Sequence, residues 1–232
     1  MIIRRGINRG VVKSLMVLVS AVILLILLLQ FFNNPFKTDW NLALLESFSQ
    51  TSEVAIDVPQ GPCTIKRDCP DDHYSFFIQS GAANVVGPKI CIQNKLVLGS
   101  VLNNVAPGIN LVTMNGRSGA VIKTGTFNMY SGEVEPLIDF LKEIDKDSVV
   151  LVASYDDPST KLNDEARKLF VELGSSSIET LKFRDNWVFV GVKGESMKSK
   201  HEKVRKNDRE INKYDGWPEL IDMDGCIPKH LD

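Results

Sequence analysis

The chain has 232 residues, of which 44% are apolar, and a formal net charge of −2 at pH 7. That length holds one moderate domain plus extras, and the near-neutral balance gives no support to a nucleic-acid partner. No segment repeats with a period of about 20–50 residues, which excludes a solenoid.

Arg4, Arg5, Arg9 and Lys13 precede an apolar run from Leu15 to Leu29 that is broken only by Ser20. Phe31 and Phe32 extend it. A charged region followed by a hydrophobic one reads as a signal peptide or signal anchor over residues 1–32. A full helical span needs about 20 residues, so the run sits on the border between the two. The basic flank should stay cytoplasmic, so either reading exports the rest of the chain. The expected destination is the extracellular space, reached through the Golgi, with a type II membrane anchor as the alternative. Residues 33–62 mix Asn, Ser, Thr, Gln and Pro and read as a stalk or propeptide without fixed structure, with at most a short helix over 42–48.

The domain should begin near Cys63. Cys69-Pro70-Asp71-Asp72 is turn-like, and residues 74–79 form a strand candidate around Phe76, Phe77 and Ile78. Ser80-Gly81-Ala82-Ala83-Asn84 and Gly87-Pro88 break the chain. Short strands should follow over 89–93 and 96–98. Residues 108–114 and 120–128 read as a β-hairpin around Asn115-Gly116. A helix is expected over 133–144, burying Val134, Leu137, Ile138, Leu141 and Ile144, with Pro136 in its first turn.

Val149-Val150-Leu151-Val152 is a short β-branched run, hence a buried strand. Asp156-Asp157-Pro158 ends it with turn chemistry. Asn163 is a good N-cap, and Leu162, Ala166, Leu169, Phe170 and Leu173 give the next helix an apolar face. Gly174 suits a left-handed C-terminal cap. After an extended piece over 178–183, residues 187–192 form a second strand. Locally the unit reads as strand, helix, parallel strand.

Residues 193–213 hold eight basic and four acidic side chains. A solvated loop is favoured over an anion-binding patch. Tyr214-Asp215-Gly216-Trp217-Pro218 should fold back onto the domain.

All four cysteines, Cys63, Cys69, Cys91 and Cys226, lie beyond the apolar run. An even number in an exported chain argues for two disulfides, and spacing alone does not choose among three pairings. Zinc is disfavoured, because His73, His201 and His230 lack ligand spacing. No nucleophile elbow, phosphate loop or dinucleotide fingerprint is present, so neither an enzyme nor a cofactor is expected. Asp222-Met223-Asp224 and Asp156-Asp157 are read as turn and capping pairs. The constellation that remains joins Tyr155-Asp156-Asp157 to Arg184-Asp185-Asn186-Trp187. If the two strands are neighbours, acceptor, planar donor and aromatic groups converge, which suits a hydroxyl-rich ligand such as a sugar. The competing structural role is a turn-pinning Arg184–Asp pair, with Trp187 in the core.

Several blocks carry a resemblance. They run from Ser80-Gly81-Ala82-Ala83-Asn84 to Lys89-Ile90-Cys91, and from Ala153-Ser154-Tyr155-Asp156-Asp157-Pro158 to Asn163-Asp164-Glu165. Phe183-Arg184-Asp185-Asn186-Trp187 and Lys213-Tyr214-Asp215-Gly216-Trp217-Pro218 continue them, ending at Gly225-Cys226-Ile227-Pro228. Over about 63–228 the chain resembles the family with sequence similarity 3, secreted cytokine-like proteins built on a GG-type lectin domain, with 229–232 left as a tail. The resemblance implies an α+β fold of two facing, twisted antiparallel β-sheets flanked by helices and stabilised by disulfides. It also implies the pairing Cys63 with Cys91 and Cys69 with Cys226. A related domain in the stem of a protein O-mannose N-acetylglucosaminyltransferase binds glycans, which makes Asp156, Asp157 and Arg184 candidate carbohydrate-binding residues. The expected function is non-enzymatic signalling through a cell-surface receptor, as monomer or homodimer. The alternative is a carbohydrate-binding module, Golgi-anchored if the N-terminal segment is uncut.

Overall fold

A computed structural model describes residues 9–32, 63 and 68–229. The expectations for 33–62, including the short helix over 42–48, lie outside these residues. The chain divides into two units, 1–57 and 58–232. In the first, helix α1 runs over Arg9–Phe32. Its described side chains, residues 16–27, are all exposed and apolar apart from Ser20. Among the described residues, no helix is long and apolar enough to cross a membrane.

Among its described residues the second unit holds nine strands: β1 (His73–Gln79), β2 (Lys89–Ile92), β3 (Lys95–Leu98), β4 (Gly108–Asn115), β5 (Val121–Phe127), β6 (Ser148–Tyr155), β7 (Asn186–Val192), β8 (Glu202–Arg205) and β9 (Asp222–Pro228). Two helices, α2 (Glu135–Lys142) and α3 (Asp164–Glu172), complete it. The strands form a four-stranded sheet, β3-β2-β1-β9, and a five-stranded sheet, β5-β4-β6-β7-β8. Every neighbouring pair is antiparallel. The fold is the α+β arrangement of two sheets flanked by helices that the family resemblance implies.

β6 explains the layering. Successive side chains of a strand point to opposite faces. Val150 and Val152 pack with Ile109, Leu111, Trp187 and Phe189 against Leu137, Leu141, Ala166 and Phe170 of the helices. Val149, Leu151 and Ala153 face Phe76, Ile78, Ile90 and Met223 of the other sheet. A strand covered on both faces needs a continuous apolar run, which is what residues 149–152 supply. Trp187 is fully buried, edge-on to Phe170 at 5.2 Å and stacked on Phe189 at 5.5 Å.

The helices follow their sequence signals. Pro136 lies in the first turn of α2, which buries Leu137, Ile138, Phe140 and Leu141. The Asn163 side chain accepts a bond from the Ala166 N–H at 2.9 Å and caps α3. Gly174 takes φ +95° just after it, as a left-handed cap requires.

Four expectations need correction. β6 and β7 are antiparallel, not parallel. A single helix would return the chain for a parallel partner, but the further stretch from Leu173 to Asp185 brings it back to the end it left. The piece over 178–183 opens with a 3-10 turn, Ile178–Thr180, instead of being extended throughout. Residues 193–213 are not one solvated loop, since β8 forms the sheet edge within them. Asp222 and Asp224 lie in β9, not in a turn, and their exposed or half-exposed positions alternate with buried Met223 and Gly225.

The disulfides are Cys63–Cys91 and Cys69–Cys226, with Cα–Cα distances of 6.0 and 5.6 Å. The second links the start of the domain to β9 across 157 residues. Closing such a loop contributes about 5 kcal/mol by a model-dependent chain-entropy argument.

Candidate functional site

Because β6 and β7 are antiparallel, the end of β6 at Tyr155 lies beside the start of β7 at Asn186. Three further segments join them there. The loop after β1 is tied on by Gly81 N–H to Ser154 O at 2.8 Å and by Asp156 N–H to Ala83 O at 3.2 Å. The Tyr155 hydroxyl donates to Asn84 O at 3.0 Å. Gly81 is required at this junction, since a Cβ on it would lie 2.5 Å from the Tyr155 ring. The segment before β9 meets Arg184 through Gly216 and Trp217. The turn before α2 meets Phe183 through Tyr130, with ring centres 6.5 Å apart.

Asp157 is fully buried. Its carboxylate accepts from Ser159 N–H at 3.1 Å, Ser159 Oγ at 3.3 Å, Thr160 N–H at 3.3 Å and Arg184 N–H at 3.3 Å. It therefore locks the β6–α3 turn to Arg184, two residues before β7. Asp185, 1% exposed, does similar work, accepting from Lys182 N–H, Asn207 N–H and Lys206 Nζ. Asn186 donates to Glu219 O at 2.8 Å. Trp187 is core.

Asp156 and Arg184 are placed differently. Both are half-buried, and both hold positive φ, +60° and +61°, as does neighbouring Ala83 at +50°. Such backbone costs about 1–3 kcal/mol per residue and clusters at functional sites. Burial holds the Asp156 carboxyl above its ordinary range, opposed by the Arg184 charge and reinforced by Asp157. The Arg184 guanidinium lies 3.7 Å from the Trp217 ring centre and 4.8 Å from that of Phe183. One terminal nitrogen donates to Gly216 O at 3.4 Å. Its Nε is buried without a hydrogen-bond partner. A buried donor left unpaired is uncommon and costly. Among the described residues Arg184 forms no ion pair with Asp156 or Asp157, so the turn-pinning role belongs to the Asp157 carboxylate and the Arg184 backbone.

The sequence therefore brings Asp156, Asp157 and Arg184 together, and the structure adds Phe183, Trp217 and Tyr130. Trp217 carried only a weak signal, the aromatics of the 214–218 segment. A flat donor, a half-buried carboxyl and aromatic faces can hold a hydroxyl-bearing ligand by paired hydrogen bonds and ring stacking. Among the described residues, no group of three or more His, Cys, Asp or Glu side chains could hold a metal.

The profile of the family described as Interleukin-like EMT inducer matches residues 107–195, from the start of β4 to the end of β7. It contains Asp156, Asp157 and Arg184 but neither Trp217 nor any of the cysteines. Protein FAM3C of Danio rerio is 54% identical over 169 residues, 72% of this chain and 74% of that one. Protein FAM3C of Homo sapiens is 45% identical over 219 residues, 93% and 96% of the two chains. Protein FAM3D of Mus musculus is 48% identical over 176 residues, 76% and 79% of the two chains.

Proposed function

Because the chain belongs to the FAM3 family, the family with sequence similarity 3, we propose that it is exported and acts as a cytokine-like signal through a cell-surface partner. It works by recognition and not by turnover. Export is supported by the basic flank and apolar run at the N-terminus and by two disulfides, which persist in oxidising compartments. The matched family's description, Interleukin-like EMT inducer, points the same way.

One observation carries the choice of surface. The Arg184 guanidinium is stacked on Trp217 beside Asp156, with a buried nitrogen unpaired. Asp157 acts behind it as a positioning residue. The same geometry favours a second reading, a carbohydrate-binding module, Golgi-anchored if the N-terminal segment is uncut. A hydroxyl-rich ligand would accept from Arg184, donate to Asp156 and stack on Trp217.

The test is expression of the full chain in secreting cells, with mass spectrometry of the conditioned medium. A mature N-terminus beyond Phe32 supports the first reading. A membrane-bound Golgi form supports the second. A glycan array with wild type and Arg184→Ala then examines the site: sugar binding by the wild type, unchanged in the variant, removes Arg184 from it.

A further inference from the structure

Charge is unevenly placed beyond the N-terminal apolar run. Residues 33–192 and 214–232 together hold fifteen basic and twenty-five acidic side chains, a balance of −10, whereas residues 193–213 carry +4. The positive excess is densest over Lys198-Ser199-Lys200-His201-Glu202-Lys203-Val204-Arg205-Lys206, with five lysines or arginines and one carboxylate.

The fold turns this stretch into a fixed strip. Ser199 N–H donates to Gly174 O at 2.9 Å, and Val190 N–H donates to His201 O at 2.8 Å. β8 then pairs with β7 from Glu202 to Arg205 and ends its sheet. All five cations are exposed. The one carboxylate is withdrawn, since Glu202 accepts from Ser175, Ser176, Ser177 and Trp187. Val204, the one aliphatic side chain of the strip, packs on the core. Other elements supply little neutralisation. Asp185 reaches Lys206 at 3.0 Å, Glu219 reaches Arg205 at 2.7 Å, and Asp222 offers Lys203 its carbonyl at 2.9 Å. Lys198 and Lys200 form no ion pair among the described residues. The Arg205–Glu219 pair is exposed on both sides, and such pairs contribute little, so another anion can replace Glu219. Edge protection alone does not account for the cluster. A strand of four residues is guarded by its shortness, and Lys198, Lys200 and Lys206 lie outside it.

We propose that residues 198–206 bind a sulfated acidic polysaccharide of the cell surface or extracellular matrix. Clustered lysines and arginines attract polyanions through the local field, whatever the net charge of the whole molecule. An extended strip of this length reaches up to about 25 Å, so it meets several sulfates of one chain at once. An anionic bilayer also requires apolar side chains to insert, and the strip presents none. The polysaccharide would hold the exported signal close to the cells that it acts on. The natural ligand rests on the export proposed above, whereas the binding chemistry is independent of the Arg184 site.

The test applies the full chain, purified from medium or lysate, to immobilised heparin, so the result does not depend on export. Wild type should be retained at low salt despite its negative net charge, and should elute as salt screens the contact. Lys198→Glu with Lys200→Glu, both exposed and free of ion pairs, should bind about tenfold more weakly at matched circular dichroism. Lys89→Glu with Lys95→Glu, on β2 and β3, makes the same change in net charge and should bind as wild type. Fully desulfated heparin should compete about tenfold less well than heparin. Passage of wild type through the column, or equal loss in the two double variants, would overturn the proposal. So would equal competition by the desulfated chain, which marks hydroxyl recognition instead, or retention on phosphatidylserine vesicles with none on heparin.

Discussion

Glu202→Ala removes one carboxylate from β8 and leaves five donors facing a gap. Ser175 Oγ donates to it at 2.5 Å, Ser176 N–H and Oγ each at 2.8 Å, Ser177 N–H at 3.3 Å and Trp187 Nε1 at 2.9 Å. The donors differ in what they can do next. Ser176 is exposed and recovers water at little cost. Trp187 is 0% exposed and Ser175 3%, so their groups stay unpaired. An orphaned buried donor costs about 1–3 kcal/mol, and a lost bond to a charged acceptor is comparable. The expected destabilisation is about 3–5 kcal/mol. Urea unfolding followed by tryptophan fluorescence should show the midpoint fall by about 1.5–2.5 M at unchanged slope, for a slope of about 2 kcal/mol/M. Glu202→Gln, which keeps one acceptor oxygen, should lose about half as much. The pH dependence follows from the carboxyl's lowered pKa: burial raises it, but hydrogen bonds from Ser175, Ser176 and Trp187 outweigh that effect. A lowered folded value means stability that is full above the unfolded value of about 4.3 and is lost as pH falls through the folded one. Wild type and Glu202→Ala should therefore converge in acid. A midpoint shift below about 0.5 M at neutral pH would refute the reasoning.

Three further outcomes are expected. Replacing both Cys69 and Cys226 by serine should cost about 3–5 kcal/mol, and removing Cys63–Cys91, which closes a span of 28 residues, should cost about 1 kcal/mol less, by paired urea titrations. Gly108→Ala should lower the thermal midpoint steeply, because φ is +107° and the new Cβ would sit 2.0 Å from Phe127 O, a backbone atom; an unchanged midpoint would contradict the β4–β5 geometry. Ligand binding that uses the Asp156 carboxylate should weaken as pH falls through that group's raised pKa, and Asp156→Asn should abolish the pH dependence in a binding titration.

The unit from β6 to β7 was legible because its signals are local. A β-branched run, an N-cap at Asn163, a 3.6-residue apolar period and Gly174 each act within a few residues. Strand direction is not local, and the parallel reading failed for that reason. β8 was hidden because an edge strand is half solvated. Val204 alone marks its core side, and the partner of its Glu202 lies 26 residues earlier in Ser176. β9 was hidden because Gly225 occupies an inward position, where a Cβ would meet the Phe76 ring at 2.7 Å, so the inward side lacks an apolar repeat. The disulfide pairing came from family resemblance, since spacing left three choices open. At the candidate site, the chain order displays Asp156, Asp157 and Arg184, while Trp217 reaches Arg184 only through the folded return of the 214–218 segment.

The central claim is that the folded chain, once outside the cell, recognises its partner through the Arg184 site. The most direct measurement is a titration of labelled protein from conditioned medium onto intact cells, comparing wild type with Arg184→Ala at matched circular dichroism. The account predicts saturable binding for wild type and a loss of about 30-fold in affinity for the variant, as for an interface anchor. Equal affinity of the two proteins, or chain that never reaches the medium, would contradict it.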